Sequence, residues 1–176
     1  MIRTALMATL LSVSIATGAE QTCQPDSIPA TAPEDRYTRH ADGTVTDKQT
    51  GLMWQMCSAG LSGDGCATGA ALAFSWAEAL LYPATINRRP DGGGYTDWRL
   101  PNIRELASLA ELQCAQPAIN LAVFPNTPSA HVWSSSPYQF YAHYSWYMDF
   151  DEGIFIYGER IDNDKHIRLV RDATSP

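Results

Sequence analysis

The hydrophobic pattern changes period along this chain, and the changes divide it into elements. Between Arg36 and Gln55, the runs Thr44-Val45-Thr46 and Leu52-Met53-Trp54 are set off by Asp42-Gly43 and by Lys48-Gln49-Thr50-Gly51. Short apolar runs bounded by glycine turns predict a strand-turn-strand unit. Over residues 70–82, Leu72, Trp76, Ala79 and Leu80 recur at helical spacing, with Ser75 and Glu78 on a narrow polar stripe. This predicts a helix that Pro83 ends, because proline cannot supply the N–H a helix interior needs. Residues 94–112 organise the rest: a glycine turn, the extended run Trp98-Arg99-Leu100, Pro101, and then a second helix. Asn102 and Glu105 have capping-box spacing; Ile103, Leu106, Ala107 and Ala110 form its apolar stripe, and Arg104, Glu105, Ser108 and Glu111 its wet side.

Beyond Cys114 the helical period disappears. Residues 115–127, with Pro117 and Pro125, read as an irregular covering loop. Strands are predicted over residues 132–136, 145–150, 154–157 and 167–170, with Asp151-Glu152-Gly153 as a hairpin turn. Trp146, Met148 and Phe150 alternate with Tyr147 and Asp149, which assigns one set inward and the other outward. The resulting class is α+β: two helices packed on small antiparallel sheets with long loops.

Residues 1–19 have the form of a secretory signal peptide: Arg3, an uncharged, mostly apolar run over 5–16, then Thr17-Gly18-Ala19. That run is too short to span a bilayer, so no membrane span is expected. Residues 20–35, rich in Pro, Ala, Thr and Ser, read as an extended lead-in long enough to be a tether, and residues 36–172 as the domain. The expected location is periplasmic or secreted. An oxidising route makes an even set of cysteines a disulfide framework. Of the three pairings open to the four cysteines, the reading favours Cys57 with Cys66, stapling the glycine-rich excursion, and hence Cys23 with Cys114.

Composition narrows the partners. The 176 residues, 45% hydrophobic, suffice for one domain with a core, and a formal charge of −7 disfavours nucleic acid and anionic membrane surfaces. A glycan or a surface protein fits better, and a homo-oligomer is a further expectation if the lead-in tethers a surface assembly. No nucleophile elbow surrounds Ser134, Ser135 or Ser136; His40, His131, His143 and His166 are scattered; Gly92-Gly93-Gly94 lacks the lysine of a phosphate loop. The densest candidate chemistry is aromatic: Tyr138, Phe140, Tyr141, Tyr144, Trp146 and Tyr147, with His143 among them. Amphipathic rings of this kind stack on sugars or dock on proteins, so Tyr138, Tyr141, His143, Tyr144 and Tyr147 are the candidate ligand-binding residues. The acidic set Asp149, Asp151, Glu152, Asp162 and Asp164 has oxygen ligands suited to calcium but lacks the DxDxDG loop, so no catalytic residue and no cofactor is assigned.

Five blocks, DGTVTDKQTGLMWQ, GYTDWRLPNIRELASL, VWSSSPY, SWYMDFDEG and HIRLVRD, resemble in order and spacing the bacterial Lcl C-terminal domain family, named from a collagen-like surface adhesin. The resemblance covers residues 36–172 and implies a C-type-lectin-like fold, distantly similar to formylglycine-generating enzymes, in an extracytoplasmic setting. Those enzymes need two redox-active cysteines late in the chain, and none follows Cys114 here. Calcium-dependent lectins use Glu-Pro-Asn or Gln-Pro-Asp with Trp-Asn-Asp, also absent. The resemblance supplies a fold and an extracytoplasmic setting but no matched active-site residues; together with the signal peptide and the aromatic run it leads to the expectation of an exported, non-catalytic binding module. The alternatives are an unrecognised enzyme on the same scaffold, for instance through Asp97 with His131 or His166, and a structural subunit.

Overall fold

A computed structural model describes residues 20–89 and 94–174; the expected signal peptide, residues 1–19, lies outside them. The strands are β1 (Thr22–Cys23), β2 (Tyr37–Arg39), β3 (Thr44–Asp47), β4 (Leu52–Gln55), β5 (Leu61–Ser62) and β6 (Thr68–Gly69). Helices α1 (Trp76–Ile86) and α2 (Ile103–Ala107) follow, then β7 (Cys114–Ala115), β8 (His131–Pro137), β9 (Tyr144–Asp149), β10 (Ile154–Glu159) and β11 (Val170–Asp172). Two sheets carry the fold, in the orders β11-β4-β3-β2 and β10-β9-β8, and the paired strands in both are antiparallel. The class is mixed, with two helices against small antiparallel sheets, as the periodicity predicts.

The core has two apolar clusters, and the central strands feed both. Trp54, Val132, Met148 and Val170 enter the first; their neighbours Met53, Trp133, Tyr147 and Leu169 enter the second. Successive side chains of a strand point to opposite faces, so these strands are buried on both. The expected split into one inward and one outward set is therefore not kept, since Tyr147 and Asp149, each 8% exposed, are covered as well as Met148 and Phe150.

The expected helix over residues 70–82 is displaced. The N–H groups of Leu72 and Phe74 donate to Ala59 O and Lys165 O, so this stretch is committed to extended structure. The helix starts only at Ser75, where Glu78 accepts from the Ser75 N–H at 2.8 Å and from its hydroxyl at 2.6 Å. Pro83 does not end it: the helix runs on to Ile86, and Asn87 N–H still reaches Pro83 O at 2.9 Å. Leu72 and Leu80 are exposed, while Ala79 and Pro83 form the buried face.

Asn102 caps α2 as predicted, accepting from the N–H groups of Arg104 and Glu105, while Glu105 receives the Asn102 N–H and both forks of Arg99 at 2.8 Å. The helix is shorter than its apolar stripe, because Ala110 bridges to Ile119. Glu111 consequently leaves the wet side. It is 4% exposed and accepts the N–H groups of Thr31 and Ala32 at 3.0 and 2.9 Å. The lead-in is thus a docked strap rather than a tether: β1 pairs with β7, and Ala32 is fully buried. Both disulfides have the favoured pairing, Cys23–Cys114 and Cys57–Cys66. Gly60, inside the second loop, has φ +91°, and a Cβ there would lie 2.3 Å from Ala70 O, so the excursion requires glycine.

Asp47, fully buried at the β3 end, holds the strap's Arg36 and accepts from Gln49 N–H at 3.0 Å and from Thr50 Oγ1 at 2.7 Å. Burial alone would raise its carboxyl; Arg36, Thr50 and Gln49 together outweigh that and hold it below the ordinary aspartate value of 3.8. A depressed folded-state carboxyl contributes stability above its unfolded value and loses it as pH falls through the folded one. Asp47→Asn should therefore cost about 3 kcal/mol in urea unfolding at neutral pH, with the gap to wild type closing only in acid below 3.8. The disulfides differ in the loops they close, spanning 91 and 9 residues. In the chain-entropy picture this makes the first worth about 4.5 kcal/mol and the second about 2.5. The double serine variant at Cys23 and Cys114 should unfold at lower denaturant than that at Cys57 and Cys66.

Candidate functional site

The candidate rings gather where β8 turns into β9. The turn is closed by Tyr138 N–H to Tyr144 O at 3.1 Å and Tyr144 N–H to Tyr141 O at 3.0 Å, which brings its aromatic residues back over the sheet. Tyr138 is the hub. It lies near-parallel to Tyr141 at 6.1 Å and edge-on to Tyr144 at 6.5 Å and to Phe140 at 5.5 Å. His143 packs on Tyr144 at 4.3 Å and faces Tyr141 at 6.0 Å. Four of the five candidates, Tyr138, Tyr141, His143 and Tyr144, are therefore one cluster.

Tyr147 is not part of it. One residue on from Trp146, it points through the sheet into the second core cluster, edge-on to Trp133 at 5.8 Å and 5.1 Å from Lys165 Nζ. Burial raises its phenol, and Asp149, Asp164 and Asp162 add to this against Lys165, so it stays protonated.

Two rings outside the candidate set complete the shelf. Tyr157 stacks on Tyr138 at 4.2 Å with 21° between planes, and Phe155 sits edge-on to Trp146 at 5.8 Å. Both come from β10, where Tyr157 pairs with Trp146 across the hairpin. The signal was present in the turn Asp151-Glu152-Gly153, since cross-strand partners share a face. Phe140, Tyr141, Phe155 and Tyr157 are 69, 56, 57 and 44% exposed, so the shelf has open rings over a half-buried Tyr138, Tyr144 and Trp146. Burial and the neighbouring Tyr157 and Tyr141 raise the Tyr138 phenol, keeping the shelf uncharged at that point.

At the shelf's base Arg160 donates from Nε to Ser145 Oγ at 2.8 Å and stacks 4.1 Å over Trp76, whose indole donates to Ser134 O. Ser134 and Ser136 fasten β8: Ser134 Oγ donates to Trp146 O, and Ser136 Oγ accepts the Ile103 N–H. The remaining polar candidates are engaged elsewhere. Asp97 accepts from Arg171 Nε at 2.6 Å, His166 contacts Leu72 O, His40 contacts Thr46, and His131 lies 3.5 Å from Asp149. Asp162 and Asp164 hold Lys165 at 3.1 and 2.7 Å. Among the described residues no group of three or more His, Cys, Asp or Glu side chains could hold a metal ion. A cavity of about 380 Å³ lies between the Cys57–Gly63 loop and α1, lined by Asp42, Ser58, Gly60, Tyr82 and Trp98, apart from the rings.

The sequence model described as the Lcl C-terminal domain matches residues 43–171, most of the chain. The protein belongs to this family. The match begins just before β3 and ends within β11, so the shelf and the buried Arg168 and Arg171 of the closing segment, residues 165–172, lie inside the Lcl C-terminal domain, while the strap and its disulfide cysteine Cys23 precede it. No curated protein matches the chain. The two disulfides fit a non-cytoplasmic compartment, and among the described residues no helix is long and apolar enough to cross a membrane.

The sheet beneath the shelf is seated by Gly158, where a Cβ would lie 3.0 Å from Tyr147 Cε1 and 3.3 Å from Lys165 Cε. Gly158→Ala should destabilise the domain by about 1–2 kcal/mol through overpacking, measured by chemical denaturation, and shift the Trp133 and Tyr147 ring resonances.

Proposed function

We propose that this protein is an exported, non-catalytic binding module of C-type-lectin-like fold, recognising a glycan or a protein at the cell surface or in the periplasm through the aromatic shelf. The observation that carries this reading is the open set of rings around Tyr138, continuous from the β8-β9 turn to β10. Rings that are already packed against one another lose little freedom when a partner covers them, so exposed aromatic area converts efficiently into affinity. Recognition without chemistry is supported by the use made of the titratable groups. Asp97 with Arg171 and Lys165 with Asp162 and Asp164 brace the scaffold, and Glu78 caps α1. Export is supported by the apolar leader pattern of residues 1–19 and by the disulfides.

Tyr141 and Tyr157 are exposed enough to be truncated without disturbing the core. Wild type and the Tyr141→Ala/Tyr157→Ala variant should be compared on a glycan array and on intact bacterial cells. Retention should fall about tenfold in the variant, with unchanged denaturation midpoint. Equal retention of the two proteins, or none by wild type on either surface, would remove the proposal.

A further inference from the structure

Strand β10 is an edge strand six residues long, and among the described residues no strand pairs with its outer side, where only the Glu159 carbonyl is engaged, by Asp162 N–H at 3.1 Å. Its pairing with β9 runs from Ile154 opposite Asp149 to Glu159 opposite Tyr144, and the ladder continues with Arg160 N–H donating to His143 O. In an antiparallel ladder the residues that exchange hydrogen bonds alternate. Ile154, Ile156 and Gly158 therefore bond inward to β9, while the N–H and C=O groups of Phe155, Tyr157 and Glu159 point away from the sheet. Among the described residues no hydrogen bond from outside the sheet reaches those of Phe155 or Tyr157. The opposite edge of the sheet is treated differently: β8 is covered by the closing segment, through Trp133 N–H to His166 O and His166 N–H to His131 O.

A flat apolar edge of this kind is a template for another strand, and proteins that do not use one interrupt it with charge or proline. Over residues 154–157 this edge reads Ile-Phe-Ile-Tyr, with neither. The outward-bonding residues Phe155 and Tyr157 are also those whose side chains extend the shelf beside Trp146 and Tyr138. A strand added here would place every second side chain on the same aromatic surface. Charge selects the occupant. The strand ends in exposed Glu159 and follows exposed Glu152, Arg160 is stacked away on Trp76, and the chain carries a formal charge of −7, which sets a second copy against itself.

We propose that β10 is a strand-addition site for an extended peptide of another protein, one presenting two apolar side chains to Phe155 and Tyr157 and a basic one to Glu159. Main-chain hydrogen bonds to the edge would supply affinity, and the alternate side chains specificity. This deepens the binding reading above and rests on it, committing that surface to a protein ligand.

The test uses a capped synthetic peptide, Thr-Lys-Thr-Val-Thr-Val-Thr, a glutamate-for-lysine version, and one N-methylated on alternate amides so that it cannot bond to an edge. Binding is followed by the amide resonances and hydrogen exchange of the full mature chain. The lysine peptide should slow exchange at Phe155, Tyr157 and Glu159 by at least about tenfold, and N-methylation should abolish this. Glu159→Lys should weaken the lysine peptide by about tenfold and favour the glutamate one. Binding that survives N-methylation, indifference to Glu159→Lys, or no binding would each overturn strand addition. So would protection of the same amides in the free protein together with a dimer in sedimentation, which would assign the edge to a second copy. Retention on the glycan array that depends on Tyr141 and Tyr157, without peptide binding, would leave the binding module standing and sink only this inference.

Discussion

The closing segment, residues 165–172, is where the two sheets and the helical layer are joined, and the fold depends on its hydrogen bonds being made together. Lys165 O receives Phe74 N–H ahead of α1, His166 joins β8 in both directions, and Ile167 O and Leu169 O receive Ala59 N–H and Gln55 N–H. Val170 and Arg99 exchange both bonds at 2.9 and 3.0 Å. Arg168 sits within this seam, 2% exposed, donating to the carbonyls of Gln55 and Met56 and to the hydroxyls of Ser58 and Thr127, with its guanidinium 4.8 Å from the Phe124 ring centroid. Burial lowers it to about 9, which still leaves a cation at neutral pH. A buried cation held by neutral oxygens tolerates little displacement, because each lost partner leaves a polar group dry. The seam is thus rigid as a unit.

Its rigidity determines where the shelf can lie. Trp133 and Tyr147 are fixed beneath the sheet by Lys165, whose Nζ is 4.7 Å from the Trp133 ring centroid, and Met148 is covered on the other face by the first core cluster, to which α2 contributes Leu106. Trp146 and Tyr144 share the Met148 face but lie farther along β9, where the core cluster ends. The shelf lies over that overhang, where one face of β9 passes from core to surface within a few residues and the exposed rings of the β8-β9 turn and of β10 gather around it. The strap, pinned by Cys23–Cys114, Glu111 and the Arg36–Asp47 pair, closes the opposite side of the core.

Much of the strand content was legible because a period of two and its turn residues act locally, although the last strand forms over Val170–Asp172 and not over the expected residues 167–170, of which Ile167 and Leu169 bond instead to Ala59 and Gln55. Thr44-Val45-Thr46, Leu52-Met53-Trp54 and the hairpin at Asp151-Glu152-Gly153 all emerge where the pattern puts them. The capping box at Asn102 and Glu105 is local for the same reason, as is the Cys57–Cys66 staple, which closes a short glycine-rich loop. The helix limits were not legible. Leu72 fits the helical stripe, but its N–H and that of Phe74 are taken by the carbonyls of Ala59 and Lys165, residues remote in sequence.

What the amino-acid order determined by itself is the set of short elements, their caps and turns, and the concentration of rings between Tyr138 and Tyr147. Only the tertiary structure decided which rings stay outside. Alternation says that Trp146 and Tyr147 face opposite ways, but not that the Tyr147 side would be the better buried, because a second core cluster and Lys165 occupy it. Nor does it reveal that Tyr157 would stack on Tyr138, since that pair meets across a hairpin and a turn. A side chain's direction is a property of its strand; what covers it belongs to segments elsewhere in the chain.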